Sequence, residues 1–237
     1  MDPRCGPGQG GRRVNLLVET LLWLVDPIHW SGPDGIPTRL AQHVGVTLTV
    51  IAIAGVIALP IGAWMGHTRR GEATIATLVN GSRALPNLGL VTLFALWMGI
   101  GVRAPILALV ILAIPSIVAA TYSGISSASR QAVEAARALG HTSWQTLTRV
   151  EAPLAMPTIG GGFQSALLQV VATATIAAYV ADVGLGRYIF AGLKSRDYPE
   201  MLAGSVLTIL LALLATAGAA GVGRLYRRLT TNEGNPL

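Results

Sequence analysis

Residues 126–153 read Ser126-Ser-Ala-Ser-Arg-Gln-Ala-Val-Glu-Ala-Ala-Arg-Ala-Leu-Gly-His-Thr-Ser-Trp-Gln-Thr-Leu-Thr-Arg-Val-Glu-Ala-Pro153. The run from Ser129 to Leu139 is Ala-rich and helix-favouring, and Gly140 stands where a left-handed cap ends a helix. Thr142 with Gln145 forms a capping-box pattern that restarts a second helix. Trp144, Leu147 and Val150 recur three apart on one face of it, and Pro153 is expected to break it. Two short helices meeting at a glycine corner make a knob. Apolar residues exposed on such a knob mark a partner interface.

The sequence on either side is too apolar for a water-facing surface. Of 237 residues, 52% are hydrophobic and 12% charged, against about 25% charged in soluble domains. This argues against a soluble globular enzyme. The net charge of +6 is scattered between apolar blocks, which fits an anionic lipid bilayer and not nucleic acid. Cys5 stands alone, so there is no disulfide framework and no CxxC pattern. Uncharged stretches run over 40–68, 104–129, 152–181 and 201–223, and a fifth, 73–102, is interrupted only by Arg83. They predict about five transmembrane helices, near 43–65, 74–100, 104–125, 157–180 and 202–223. Their Gly, Ala, Ser and Thr content suits close helix packing in lipid.

Putting the C-terminus in the cytoplasm places Arg224, Arg227, Arg228, Arg130, Arg137, Arg149, Arg69 and Arg70 inside. Arg39, Arg103, Arg187, Lys194 and Arg196 are then outside, a modest positive-inside bias. The chain thus divides into an N-terminal segment 1–36, a transmembrane domain 37–225 containing the 126–153 loop, and a cytoplasmic tail 226–237. Met1–Arg13 is Gly/Pro-rich and expected to be flexible. Asn15, Glu19 and Asp26 share one side of a helix over about 14–26, which reads as an amphipathic helix lying at the interface. A signal-like start and a sixth span are the alternatives, the first opposed by the lack of a small-residue cleavage pattern.

Glu134-Ala-Ala136, three residues, Gly140, nine residues, then Val150-Glu-Ala-Pro153 resembles the EAA motif of ABC importer permeases, with Val150 and Ala152 as mild departures. Across roughly 38–223 the likeness continues. Ala84-Leu-Pro86, Gly99-Ile-Gly-Val-Arg-Ala-Pro105, Thr121-Tyr-Ser-Gly-Ile125, Pro153-Leu-Ala-Met-Pro157, Ala174-Thr-Ile-Ala-Ala178 and Gly184-Leu-Gly-Arg-Tyr-Ile-Phe190 resemble the permeases for glycine betaine, choline, carnitine or proline betaine. Ser82–Asn87, Ala119–Tyr122 and Ala181–Gly186 depart from the usual pattern. The resemblance implies an all-α integral-membrane bundle of the type I ABC importer permease kind, in a bacterial cell membrane. It also implies alternating access driven by a separate cytoplasmic ATPase, an extracytoplasmic solute-binding protein, and a second permease, identical or similar. The 126–153 loop would be a coupling-helix pair entering a groove on the ATPase, through Glu134, Ala135, Ala136, Gly140, Trp144 and Pro153.

No GxxxxGK[ST] loop occurs, and Lys194 is the sole lysine, so the phosphate-cradling loop of an ATPase is absent; the expectation is a transport subunit that is not itself an enzyme and has no cofactor of its own, with ATP hydrolysed by a separate partner. His29, His43, His67 and His141 lack metal-site spacing and read as structural or interfacial. Asp182, Asp197 and Glu200 read as a solvated loop, and Gly184-Leu-Gly186 as a turn. Arg83 is the one charge within a span, just before Pro86. Arg83 and Asn87 are candidates for the translocation pathway or its gate. The alternative is that Arg83 binds backbone carbonyls or snorkels. Tyr122 and Tyr179 are candidate cation–π partners for a quaternary ammonium, or packing residues. Other readings are a permease for another small solute, such as methionine or a sulfonate, and an integral-membrane enzyme, for which no reactive constellation is visible.

Overall fold

The computed structural model describes residues 9–232, with side chains from Asn15 to Leu225 and at Arg228. Gly35 and Pro37 open the first long helix, since Pro fits the first helical turn where no N–H partner exists. That helix, α2 (Ile36–Thr68), follows a shorter α1 (Gln9–Val25) and a 3-10 turn at Pro27–Trp30. Then come α3 (Glu72–Ala84), α4 (Asn87–Met98), α5 (Arg103–Ser126), α6 (Arg130–Ala138), α7 (Ser143–Thr146), α8 (Ala152–Ala174), α9 (Ala178–Ala181), α10 (Gly186–Ser195) and α11 (Tyr198–Asn232). Among the described residues there is no strand.

The core is a three-helix seam. Val46, Val50, Ala54 and Ala58 of α2 meet Leu109, Ala113 and Ile117 of α5 and Ala166, Val170 and Ala174 of α8. α5 is central: 61% of its most apolar window is buried, against 6% for α11 at the periphery. In lipid such a seam is held by close van der Waals packing. Gly66 of α2 shows how close: a Cβ there would lie 2.7 Å from the Ile125 Cβ and 3.0 Å from the Tyr122 carbonyl. Hydroxyls on the long helices turn back on the backbone: buried Thr121 and Thr208, and exposed Thr49, each donate to the carbonyl four residues earlier, whereas the buried Thr47 hydroxyl has no hydrogen-bond partner among the described residues. Gln169 links α8 to α5, accepting from the Ser116 hydroxyl at 3.3 Å.

Among the described residues four helices are long and apolar enough to cross a membrane: Ile36–Thr68, Arg103–Ser126, Ser143–Ala181 and Tyr198–Leu225. The span expected over 74–100 is instead two short helices, α3 and α4, because a residue before proline is pushed to extended backbone. Leu85 (φ −73°, ψ 126°) and Pro86 break the helix between them. The break expected at Pro153 does not occur. Pro153 sits in the first turn of α8, and Leu147–Glu151 is wound as a π-helix in which the Ala152 N–H donates to the Leu147 carbonyl. A wider turn ahead of the proline removes the clash its ring makes in an α-helix. The chain therefore runs as one helix from Ser143 to Ala181.

The N-terminal helix also differs from the expected interfacial strip. α1 packs on α11, with Trp23 and Leu24 against Tyr188, Leu207 and Leu211. Leu17, Leu21, Leu22 and Val25 remain exposed beside that contact, so both sides of α1 are apolar. Helix α11 continues through 226–232, where a tail was expected; the flexible segment expected over Met1–Arg13 lies outside the described residues as far as residue 8, and so do tail residues 233–237.

Candidate functional site

The knob is built by local codes. At the end of α6 the His141 N–H donates to the Ala136 carbonyl at 3.1 Å and the Gly140 N–H to the Arg137 carbonyl at 3.0 Å. This six-to-one and five-to-two pair is a Schellman cap, and Gly140 takes the required positive φ of 84°. One residue later the capping box closes: the Gln145 N–H donates to the Thr142 hydroxyl, and the Thr142 N–H to the Gln145 side-chain carbonyl. Val133 and Ala136 turn inward, whereas Glu134 and Ala135 face out. Leu139 and Trp144 flank the corner at 81% and 72% exposure. Leu147 instead packs under the knob on Ile125, Ala155 and Ile159, so it leaves the face it was expected to share with Trp144. Pro153 is exposed. Leu139 is a surface residue the sequence reading passed over; an apolar side chain just before a capping glycine was the available signal.

At the knob's base, Glu151 is 3% exposed and accepts a hydrogen bond from, or pairs with, the His67 Nδ1 at 2.5 Å. Arg69 next to it adopts a left-handed backbone (φ 54°), and its guanidinium donates to the Ala128 carbonyl at 3.1 Å. Between the end of α2 and α6 lies a cleft of about 300 Å³ lined by His67, Arg69, Arg130, Glu134, Arg137 and Glu151.

The opposite end of the bundle carries a second polar cluster, built on the backbone of the loop whose Asp182 and Asp197 side chains are exposed. Arg39, 4% exposed, pairs with Asp34 at 2.5 Å and donates to the Asp182 carbonyl and to Gln42. The Gly184 N–H donates to the same Gln42 oxygen. The Leu185 N–H donates to His43 Nδ1, so His43 donates from Nε2 to the Val171 carbonyl and is held neutral. The Tyr188 hydroxyl donates to the Asp34 carbonyl at 2.6 Å. Burial, with Asp34 and Glu200 nearby and Arg39 opposing, pushes the Tyr188 phenol up to about 12.

The pathway candidates do not converge. Arg83 is exposed in the last turn of α3, with Pro86 and Asn87 at the break beyond it. Tyr122 packs against the core near the knob end. Tyr179 stands at the other end, its ring 5.5 Å from that of Phe190, beside a cleft of about 770 Å³. The two tyrosines thus stand at opposite ends of the described bundle. Among the described residues no group of three or more His, Cys, Asp or Glu is placed to hold a metal ion.

Relatives and solved structures agree with this architecture. The chain is 28% identical over 176 residues to the glycine betaine/carnitine/choline transport system permease protein OpuCB of Bacillus subtilis, covering 74% of this chain and 81% of the relative. It is 29% identical over 173 residues to the choline transport system permease protein OpuBB of the same organism, covering 73% and 80%. Its fold is similar to a chain of the inward-facing MetNI methionine ABC transporter, with a TM-score of 0.70 at 22% identity, covering 84% of this chain and 98% of that one. Residues 58–231 match the profile of the binding-protein-dependent transport system inner membrane components. A multi-pass helical bundle with a capped knob between two spans, matched over that length, belongs to this family of transport-system inner membrane components.

Proposed function

We propose that this chain is the permease subunit of an ATP-driven importer for quaternary-ammonium osmoprotectants such as glycine betaine, choline or carnitine. The observation that carries the reading is the knob itself. Leu139 and Trp144 are exposed around Gly140, beside Glu134 and Ala135. Two large apolar side chains are held in water by a rigid double cap, an arrangement that fits a protein groove. The groove is that of a separate ATPase, since this chain has no phosphate-cradling loop. The substrate class follows the names of the relatives, glycine betaine, carnitine and choline permeases.

In this reading the knob and the α11 C-terminus face the cytoplasm. The Arg39–Asp182 end faces the solute-binding protein, and a second permease copy completes the pathway. ATP-driven closure of two ATPases swings the knobs and turns the permeases from inward- to outward-facing. The test is uptake of labelled glycine betaine and choline by liposomes holding the permease, its ATPase and its binding protein. Wild type is expected to accumulate one or both. Glu134→Lys is expected to insert normally, lose the copurifying ATPase and lose uptake. Normal uptake by that variant would defeat the docking role, and absence of uptake of either solute by wild type would defeat the substrate class.

A further inference from the structure

Glu151 and His67 are 84 residues apart and belong to two different helical segments. Glu151 closes the π-turn at the foot of the knob, on the helix that runs unbroken from α7 into α8. His67 lies in the last turn of α2, and α2 is seated tightly against α5 at Gly66. Their side chains meet at 2.5 Å. Among the described residues Glu151 is the one fully buried carboxylate. A buried carboxylate is retained at a cost unless its partner stays in place, and π-turns recur where a helix must present one side chain out of α-register. Here the widened turn is what aims Glu151 at the end of α2. Arg69 adds a second tie beside it, from α2 to the Ala128 carbonyl at the start of the knob.

We propose that the Glu151–His67 pair is the brace that carries displacement of the ATPase-bound knob into α2 and, through it, into the α2–α5 seam. This rests on the knob being the ATPase dock. Both are positioning residues: neither touches substrate nor ATPase. Through the brace, α6, the π-turn and the end of α2 move as one body during the cycle. Without it the knob remains docked and still moves with α8, but no longer draws the end of α2 with it.

The test uses the reconstituted complex of permease, ATPase and binding protein. In Glu151→Leu the ATPase is expected to copurify and hydrolyse ATP at the basal rate, while solute taken up per ATP falls about tenfold, the size of an ordinary coupling energy. Glu151→Gln, which still accepts the His67 hydrogen bond, is expected to restore that ratio. Should Glu151→Leu fail to insert, the His67→Leu/Glu151→Leu pair replaces the brace by apolar packing and is expected to insert and stay uncoupled. In a Cys5→Ser background, spin labels at Thr68→Cys and Gln131→Cys report the brace directly. The wild-type distance is expected to be single and equal with and without ATP, and Glu151→Leu is expected to spread it. Full uptake per ATP in the leucine variants, or a wild-type distance that changes with ATP, would overturn the proposal. Failure of the docking reading is distinct, because there Glu134→Lys would keep both its ATPase and its uptake.

Discussion

The Arg39 guanidinium is buried beside Asp34, Gln42 and the Asp182 carbonyl, and removing a partner from such a set strands a charge in a place with little water. Tyr188 shares the cluster through Asp34 and gives it a measurable signature. Its phenol is pushed up to about 12 by burial first. Below pH 10 the proton stays on in both the docked and the undocked loop, and this contribution is complete. Between about 10 and 12 only the undocked tyrosine ionises, so docking of α10 weakens as pH rises through that window. An ultraviolet tyrosine titration is expected to show one group ionising late, and Tyr188→Phe to remove that step. Superimposable curves for the two proteins would refute the burial of the phenol. The separate roles of Arg39, Gln42 and His43 were not legible in the sequence. Arg39 read as a flanking charge, because its Asp182 partner lies 143 residues away and no spacing rule spans that distance.

Among elements, the two glycines of the knob region answer to different physics. A Cβ at Gly140 would meet nothing within 4 Å, so Gly140→Ala costs only the left-handed backbone, about 1–2 kcal/mol. At Gly66 the backbone φ is ordinary but the space is taken by Ile125 and the Tyr122 carbonyl, and overpacking of that kind costs about 1–3 kcal/mol. Gly66→Ala is therefore expected to lower the thermal midpoint in detergent at least as much as Gly140→Ala. Uptake is expected to suffer more from Gly140→Ala, which re-aims Trp144 against α6. The reverse ranking in uptake would show that the corner's angle does not matter. Gly140 and the Thr142–Gln145 box were legible because caps are written within six residues. The two prolines were not equally legible. Pro86 and Pro153 look alike in sequence, and what separates them is the path of the chain ahead of each: extended at Leu85, and a π-turn at Leu147–Glu151.

At the scale of the molecule, the apolar blocks marked five spans, of which four are long helices and the fifth, 74–100, is the broken pair α3–α4; the packing of α1 could not be read that way. Its polar residues suggested an interfacial helix, but packing on α11 is a tertiary choice made by Trp23, Leu24, Tyr188, Leu207 and Leu211 together. None of the α2–α5–α8 core residues comes from α1. Removing residues 1–25 is thus expected to leave membrane insertion and a cooperative melt, at a lower midpoint. Loss of the cooperative transition would mean that α1 belongs to the core. The unbroken helix through Pro153 has a mechanical consequence. Ser143–Ala181 is 39 residues long, and a helix rises about 1.5 Å per residue, so it is a rod of roughly 55 Å. Trp144 near one end and Ala181 at the other are therefore joined with no loop between them, and a displacement of the corner is delivered along the rod to the opposite rim instead of being absorbed at a joint beside Pro153.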